Sequence, residues 1–534
     1  MPTPILLALL CQSPSPLALP AFESRQLTDE FLAEGASYGD LDRDGHGDVI
    51  AGPYWWAGPD FTERFTLYAP KVFDPKGYSE NFFAWTDDLD HDGWLDILFV
   101  GFPGRDAWWM ENPHGREGTW QRHEVHSNVD NESPAYVDID ADGQRDLVFH
   151  SAGFIGYASP SEDPRAPWTF HAVSEKTDLP AFTHGLGVGD LDGDGRKDIL
   201  LNHAWWRQPE TLEDGALWQV RPLRFSAGYG GAQMLVHDVD GDGDEDVVSS
   251  LMAHRYGLSW FENTGEDGPQ RFREHLLMAT PDSPLLGGFA VSELHALALA
   301  DVDGDGVLDF VTGKRFMSHS YNEAGSRDPA WLLWFRCVRG PEGVTFEPRA
   351  IHADSGVGTQ VTAGDIDGDG HVDVVVANKK GVFVHLQRPE ASDEGHSRTL
   401  EAPAPLPRFP AGGIAPRAAD GRVLNLDFET GDLTDWTAIG DAFDGQPMRG
   451  DTVFARRSDM TSEHEGRFWV GSYEVHEDRA QGTLTSVPFR LVAPYAAFLI
   501  AGGAQHATRV EVVRARDGRI LAEATGRDHE TLRP

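Results

Sequence analysis

The sequence predicts an all-β chain: a seven-bladed β-propeller over residues 22–388, a Pro-rich linker over 389–422 and a β-sandwich over 423–534. Three observations predict it. A nine-residue motif, of which Asp301-Val-Asp303-Gly-Asp305-Gly-Val-Leu-Asp309 is typical, occurs seven times. The copies stand 48 to 64 residues apart, a length suited to one blade of several short strands. The motif leads into apolar, β-branched stretches such as Asp373-Val-Val-Val-Ala377, which read as buried strands.

In chain order, residues 1–21 come first. Their apolar run, Ile5-Leu-Leu-Ala-Leu-Leu10, reads as a secretory leader, although no basic residue precedes it. Residues 22–31 look like the closing segment of later blades, such as Arg271-Phe-Arg-Glu-His-Leu-Leu277. The seventh repeat ends early, after Gly381-Val-Phe-Val-His-Leu386. The N-terminal segment is therefore expected to complete the last blade and close the ring, which protects sheet edges.

The motif itself carries Asp at places one, three, five and nine in every copy, with Gly at place six. Hard cations such as Ca²⁺ take six to eight oxygens, and alternate Asp residues in a tight loop supply them. An EF-hand would need Glu at place twelve and a helix on each side. Here place twelve is Thr312, and both flanks read as strands.

These loops resemble FG-GAP/VCBS repeats, the family of the integrin α-subunit propellers and of many secreted bacterial proteins. The resemblance covers residues 22–388. It implies one structural Ca²⁺ per loop, about seven in all. The implied ligands are Asp40, Asp42, Asp44 and Asp48; Asp88, Asp90, Asp92 and Asp96; and Asp138, Asp140, Asp142 and Asp146. They continue with Asp190, Asp192, Asp194 and Asp198, then Asp238, Asp240, Asp242 and Asp246. Asp301, Asp303, Asp305 and Asp309, and Asp365, Asp367, Asp369 and Asp373, complete them.

Trp pairs recur beside the apolar strands: Trp55-Trp56, Trp108-Trp109 and Trp205-Trp206. They are expected to fill space between blades rather than to stack on sugars. Prolines from Pro389 to Pro416 then mark the linker. Beyond it, Leu426-Asp-Phe-Glu-Thr-Gly-Asp-Leu-Thr-Asp-Trp436 opens a run of short strands. These include Phe468-Trp-Val470, Gly482-Thr-Leu-Thr-Ser486, Ala496-Ala-Phe-Leu-Ile500 and Thr508-Arg-Val-Glu-Val-Val513. This part resembles galactose-binding-like jelly rolls, and the expected final strands are missing before Pro534, which reads as a truncation.

The formal net charge of −42 argues against nucleic acid or an anionic membrane as partner. It fits a secreted, extracellular or periplasmic protein in a Ca²⁺-rich medium. Seven bound Ca²⁺ would cancel about a third of that charge. Two cysteines, Cys11 in the leader and Cys337, leave no internal disulfide in the mature chain. No apolar run is long enough for a transmembrane helix.

Six residues before each first-place Asp, near the start of the innermost strand, stand Glu34, Phe82, Glu132, His184, Ala232, His295 and Thr359. Equivalent places of a propeller lie at one height around its channel. Glu34, Glu132, His184 and His295 are thus candidate ligands of one Zn²⁺ or other divalent transition metal. Gln233 and Gln360, one place later, and His203 on a returning strand are candidate ligand-binding residues. Lys314, Arg315 and Lys379 are candidates for holding a substrate carbonyl or carboxylate. No Gly-x-Ser-x-Gly elbow, His-Glu-x-x-His or phosphate loop occurs.

Two functions follow. The first is a secreted, calcium-binding propeller that binds carbohydrate or a cell-surface partner. The alternative is a metal-dependent lyase or related enzyme acting on a sugar, with its site in the channel. An architectural resemblance to the propeller of fungal aldos-2-ulose dehydratase motivates the second.

Overall fold

A computed structural model describes residues 20–388 and 416–533. Left out within these are 226–229, 280–289, positions near 117, 214, 267–270, 322–327 and 342, and several short stretches after 418. The expected leader, apart from its last two residues, and most of the linker lie outside the described residues. The chain divides into two compact units, with the division in sequence at about residue 403.

The first unit is seven four-stranded antiparallel sheets. Six are built from consecutive strands, over residues 37–66, 83–129, 135–172, 186–222, 235–278 and 294–352. The seventh joins the strands of 361–388 to the N-terminal strand Ala21–Thr28, which pairs antiparallel with Gly381–Arg388. The ring is thus closed by the first strand, as the short seventh repeat leads one to expect. The first strands of neighbouring blades touch one another, which places them around the axis.

Each Asp loop is the hairpin between the first and second strands of its blade. In the loop Asp301–Asp309, the N–H of Gly306 donates to Asp301 Oδ2 at 2.9 Å. The sixth-place Gly has positive φ in all seven copies, a backbone that L side chains rarely adopt. The ninth-place Asp is buried and pins the blade. Asp96 accepts the Leu89 N–H at 3.0 Å and the Asn112 N–H at 2.8 Å. Asn112 Nδ2 then donates to Leu41 O of the preceding blade at 2.9 Å. Asp198 with Gln208, and Asp246 with Asn263, repeat this clasp onto Ile139 O and Leu191 O.

Apolar side chains fill the space between blades. Trp55, Trp109, Phe99 and Phe149 are fully buried, and the remaining members of the Trp pairs are nearly so. Each such side chain contributes roughly 1.5–3 kcal/mol relative to exposure. The pairs therefore act mainly as interblade filling; of the six, Trp108 also borders a surface groove. Cys337 is a buried free thiol.

In the second unit, the described residues form four two-stranded antiparallel pairs. Trp436–Gly440 pairs with Gly482–Ser486, and Arg509–Arg514 with Arg519–Thr525. The sandwich expected there is not assembled among these residues, and most of Ala496–Ile500 lies outside them. No helix among the described residues is long and apolar enough to cross a membrane.

Candidate functional site

The seven Asp loops share one end of the ring, because each joins a first strand to a second. The opposite end carries the starts of the first strands and the connections from second to third strands. In four blades that connection is only residues 52–53, 152–153, 202–203 or 379–380. In the fifth and sixth it expands to 251–257 and 315–331. Connecting loops on a rigid scaffold are where binding groups concentrate.

Arg315, the first residue of the longest connection, sits fully buried at the centre of this end. Its Nη2 bonds Glu34 Oε2 at 2.5 Å, its Nη1 bonds Glu132 Oε1 at 3.1 Å, and Nη1 also donates to His295 Nε2 at 2.8 Å. One guanidinium thus ties together elements of the first, third and sixth blades. Burial opposes its charge, but Glu34 and Glu132 hold its pKa above the ordinary value. The five-donor fork suits Arg to such multiple pairing.

Three histidines converge beside it. One ring nitrogen from each of His184, His254 and His295 falls within 4.8 Å of the others. His184 Nε2 is 3.1 Å from His254 Nε2 and 3.3 Å from Glu132 Oε2. The Nδ1 atoms of His184 and His295 are buried without a partner. Burial pushes His184 down to about 4, against the pull of Glu132, and it also pushes His295 well below the usual range. Both rings are neutral at neutral pH. His254 Nδ1 faces Ser318 Oγ at 3.0 Å and Glu323 Oε2 at 3.3 Å, and His319 bonds the other oxygen of Glu323 at 2.6 Å.

A second buried pair lies alongside. Lys314 Nζ bonds Glu293 and, at 2.9 Å, Ser292 Oγ. Burial raises Glu293, in spite of Lys314; burial also works against Glu323, yet hydrogen bonds from His254 draw it down. The backbone here is held in the left-handed region at four non-Gly residues: Phe182, Glu293, Met317 and His319. Such conformations cost about 1–3 kcal/mol each and gather at functional sites.

Several sequence expectations are corrected by this geometry. Glu34 spends its ion pair on Arg315. Lys314 and Arg315 are fully buried in ion pairs, and Lys379 is buried with its Nζ on Met317 O at 3.2 Å. None of the three presents a free charge to a substrate. Gln233 bridges Thr359 O and the Leu297 N–H, and Gln360 bridges the Ala84 N–H and O. Both amides are staples between inner strands, not ligand donors. His203 Nδ1 bonds Asn202 Oδ1 at 2.9 Å. Sequence reasoning missed His254, Ser318 and Glu323. The available signal was the lengthening of the repeat to 63 and 64 residues at those blades.

The Asp loops fit a hard cation. Oxygens from Asp40, Asp42 and Asp48 lie within 4.8 Å of one another, as do those of Asp88, Asp90 and Asp96, and of Asp138, Asp140 and Asp146. Asp88 Oδ1, Asp138 Oδ1, Asp192 Oδ1 and Asp367 Oδ1 are buried without hydrogen-bond partners. Burial, with repulsion from the other carboxylates of each loop, pushes Asp48, Asp96, Asp146 and Asp309 up to about 7. Oxygen donors so placed would coordinate Ca²⁺ and, with it bound, stay ionised. Arginines answer part of the remaining charge: Arg116 meets Asp42 and Asp44, and Arg336 meets Asp303 and Asp305.

A groove of about 960 Å³ runs between the first two blades. Tyr68, Phe73, Tyr78 and Phe102 line it, with Lys71, Glu80, Asp106 and Arg122 among its polar groups. Tyr78 also walls the buried cluster: Lys379 Nζ lies 4.7 Å and the Arg315 guanidinium 5.6 Å from its ring centre.

Family models of FG-GAP-like repeats match residues 88–149 and 238–312, and an FG-GAP repeat matches 357–384. The chain thus carries FG-GAP repeats. None of the curated proteins matches it. Among solved structures, an Agrocybe aegerita lectin that recognises non-reducing terminal N-acetylglucosamine is similar over 68% of this chain and 86% of its own, at 16% identity and TM-score 0.39. BBS1N, in complex with ARL6DN, is similar over 71% and 99%, at 10% identity and TM-score 0.40. The V. cholerae biofilm matrix protein Bap1 is similar over 58% and 41%, at 13% identity and TM-score 0.27.

Proposed function

We propose that this seven-bladed propeller of FG-GAP repeats is a secreted, calcium-stabilised protein that binds carbohydrate, free or on a cell surface, in the groove between its first two blades. An FG-GAP propeller is a binding platform. The observation that carries the finer reading is the groove lined by Tyr68, Phe73, Tyr78 and Phe102. Aromatic faces suit the C–H faces of sugar rings, and a few placed polar groups can fix the hydroxyls. Residues 423–534, which resemble galactose-binding-like jelly rolls, are proposed to add a second sugar contact.

The test is a glycan array followed by titration of the best oligosaccharide. Tyr78→Ala should weaken binding at least about ten-fold, the loss of roughly 1.4 kcal/mol, in protein whose fold is checked by circular dichroism. Binding that is untouched by Tyr78→Ala and Phe102→Ala would sink the groove as its site.

A second reading, a metal-dependent lyase or related enzyme acting on a sugar, is favoured by the meeting of His184, His254 and His295. In that case Tyr78 would link substrate groove and metal. The discriminating assay is release of an unsaturated product, followed by ultraviolet absorbance, from the bound sugar with and without added metal.

A further inference from the structure

We propose that His184, His254 and His295 hold one divalent transition-metal ion, with Glu132 beside it, at the end of the ring opposite the Asp loops. The inference stands whether or not the groove takes a sugar.

Ligand geometry supports it. Two imidazole nitrogens each about 2.1 Å from one tetrahedral ion lie roughly 3.4 Å apart. His184 Nε2 and His254 Nε2 are 3.1 Å apart, and Glu132 Oε2 is 3.3 Å from the former. Small adjustments of these side chains admit an ion. The third ring nitrogen, within 4.8 Å, requires His295 to close in by at most about 1.4 Å. His184 is at least nine-tenths buried, and the Nδ1 atoms of His184 and His295 have no partner, so the contacts among the protein's own side chains leave these rings incompletely satisfied.

The surroundings match what a metal-bound histidine requires. A ligating imidazole usually gives its other nitrogen to a carboxylate or hydroxyl, which fixes the tautomer and the ring. His254 Nδ1 has both Ser318 Oγ and Glu323 Oε2 within 3.3 Å, and His319 holds Glu323 in turn. Glu323 is thus a positioning residue for the ion, not a ligand. Imidazole donors select Zn²⁺, Co²⁺ or Fe²⁺ over Ca²⁺, so this site and the Asp loops would sort their ions by chemistry. The half-buried His254 leaves one side of the ion open to a ligand.

One contact opposes occupancy. A neutral imidazole has a single lone pair, and His295 now gives its own to Arg315 Nη1 at 2.8 Å. Metal binding therefore costs that hydrogen bond, while Arg315 keeps its ion pairs with Glu34 and Glu132.

The test is Co²⁺ titration of the full chain in excess Ca²⁺, which fills all-oxygen sites, followed by visible absorbance. The expected result is one Co²⁺ with the strong d–d bands of four-coordination. His184→Ala and His254→Ala should each weaken it at least about 100-fold, and Glu323→Gln about 10–100-fold, while His203→Ala leaves it unchanged. Absence of a Co²⁺ band in the parent protein would overturn the proposal, and this arm does not depend on any variant folding. A band lost in His319→Ala but kept in His184→Ala would also overturn it, placing the ion on the outer trio His254, His319 and Glu323.

Discussion

His184 Nε2 lies 3.1 Å from His254 Nε2, although 70 residues separate them in the chain. The first stands just before the innermost strand of the fourth blade. The second stands on an enlarged loop of the fifth. Packing of the fourth blade against the fifth brings them together, so the pair exists only where these blades are assembled.

Arg315 is expected to hold that assembly. Arg315→Ala leaves Glu34 and Glu132 buried and uncompensated, which costs about 3–5 kcal/mol. Urea unfolding measures it. Arg315→Lys should recover only part, since one ammonium cannot reproduce the forked contacts to both acids.

The interblade clasp gives a second prediction. Asn112→Ala removes the donor to Leu41 O and Leu95 O, at 2.9 and 2.8 Å. Leaving buried carbonyls unpaired costs about 1–3 kcal/mol. The variant should therefore unfold at lower urea with an unchanged slope. No loss of stability would mean that the clasp is incidental.

Calcium removal gives a third. At a free Ca²⁺ level 100 times its dissociation constant, each filled loop adds about 2.7 kcal/mol to the folded state. Chelation should lower the melting temperature steeply, and readdition should restore it. Asp301→Asn, in one loop only, should reduce the calcium-dependent gain by about one loop's share.

Acid should weaken the closing blade through His385. Its Nδ1 is 2.7 Å from Ser24 Oγ on the N-terminal strand, and burial pushes its pKa down to about 3. The folded ring stays neutral while the unfolded one takes up a proton below about 6.5. Stability is therefore lost as pH falls from about 6.5 towards 3, by about 2 kcal/mol at pH 5. His385→Gln should flatten that part of the stability–pH curve. An unchanged slope would contradict the assignment.

The ring was legible in the sequence because its signal is local. Four Asp residues and a Gly within nine positions need no tertiary knowledge, and seven copies fix the blade count. The short seventh repeat, ending near Leu386, likewise pointed to closure by the N-terminal strand. The site was only half legible. His184, His295 and Glu132 share a register position, so counting back from each loop found them. His254 and Glu323 lie on connections of unequal length, where register carries no information. Gln233 and Gln360 misled because a polar residue near the axis looks alike whether it binds a ligand or staples neighbouring strands. Lys314 and Arg315 misled for a related reason: a cation in an acidic chain reads as free until its buried partners, Glu293, Glu34 and Glu132, are placed.

The most direct measurement is metal content by mass spectrometry of the purified chain, dialysed against micromolar Ca²⁺ and Zn²⁺. The account predicts calcium approaching seven per chain, together with one zinc that the His184→Ala variant lacks. A chain that retains neither ion would contradict the metal-based account at both ends of the ring.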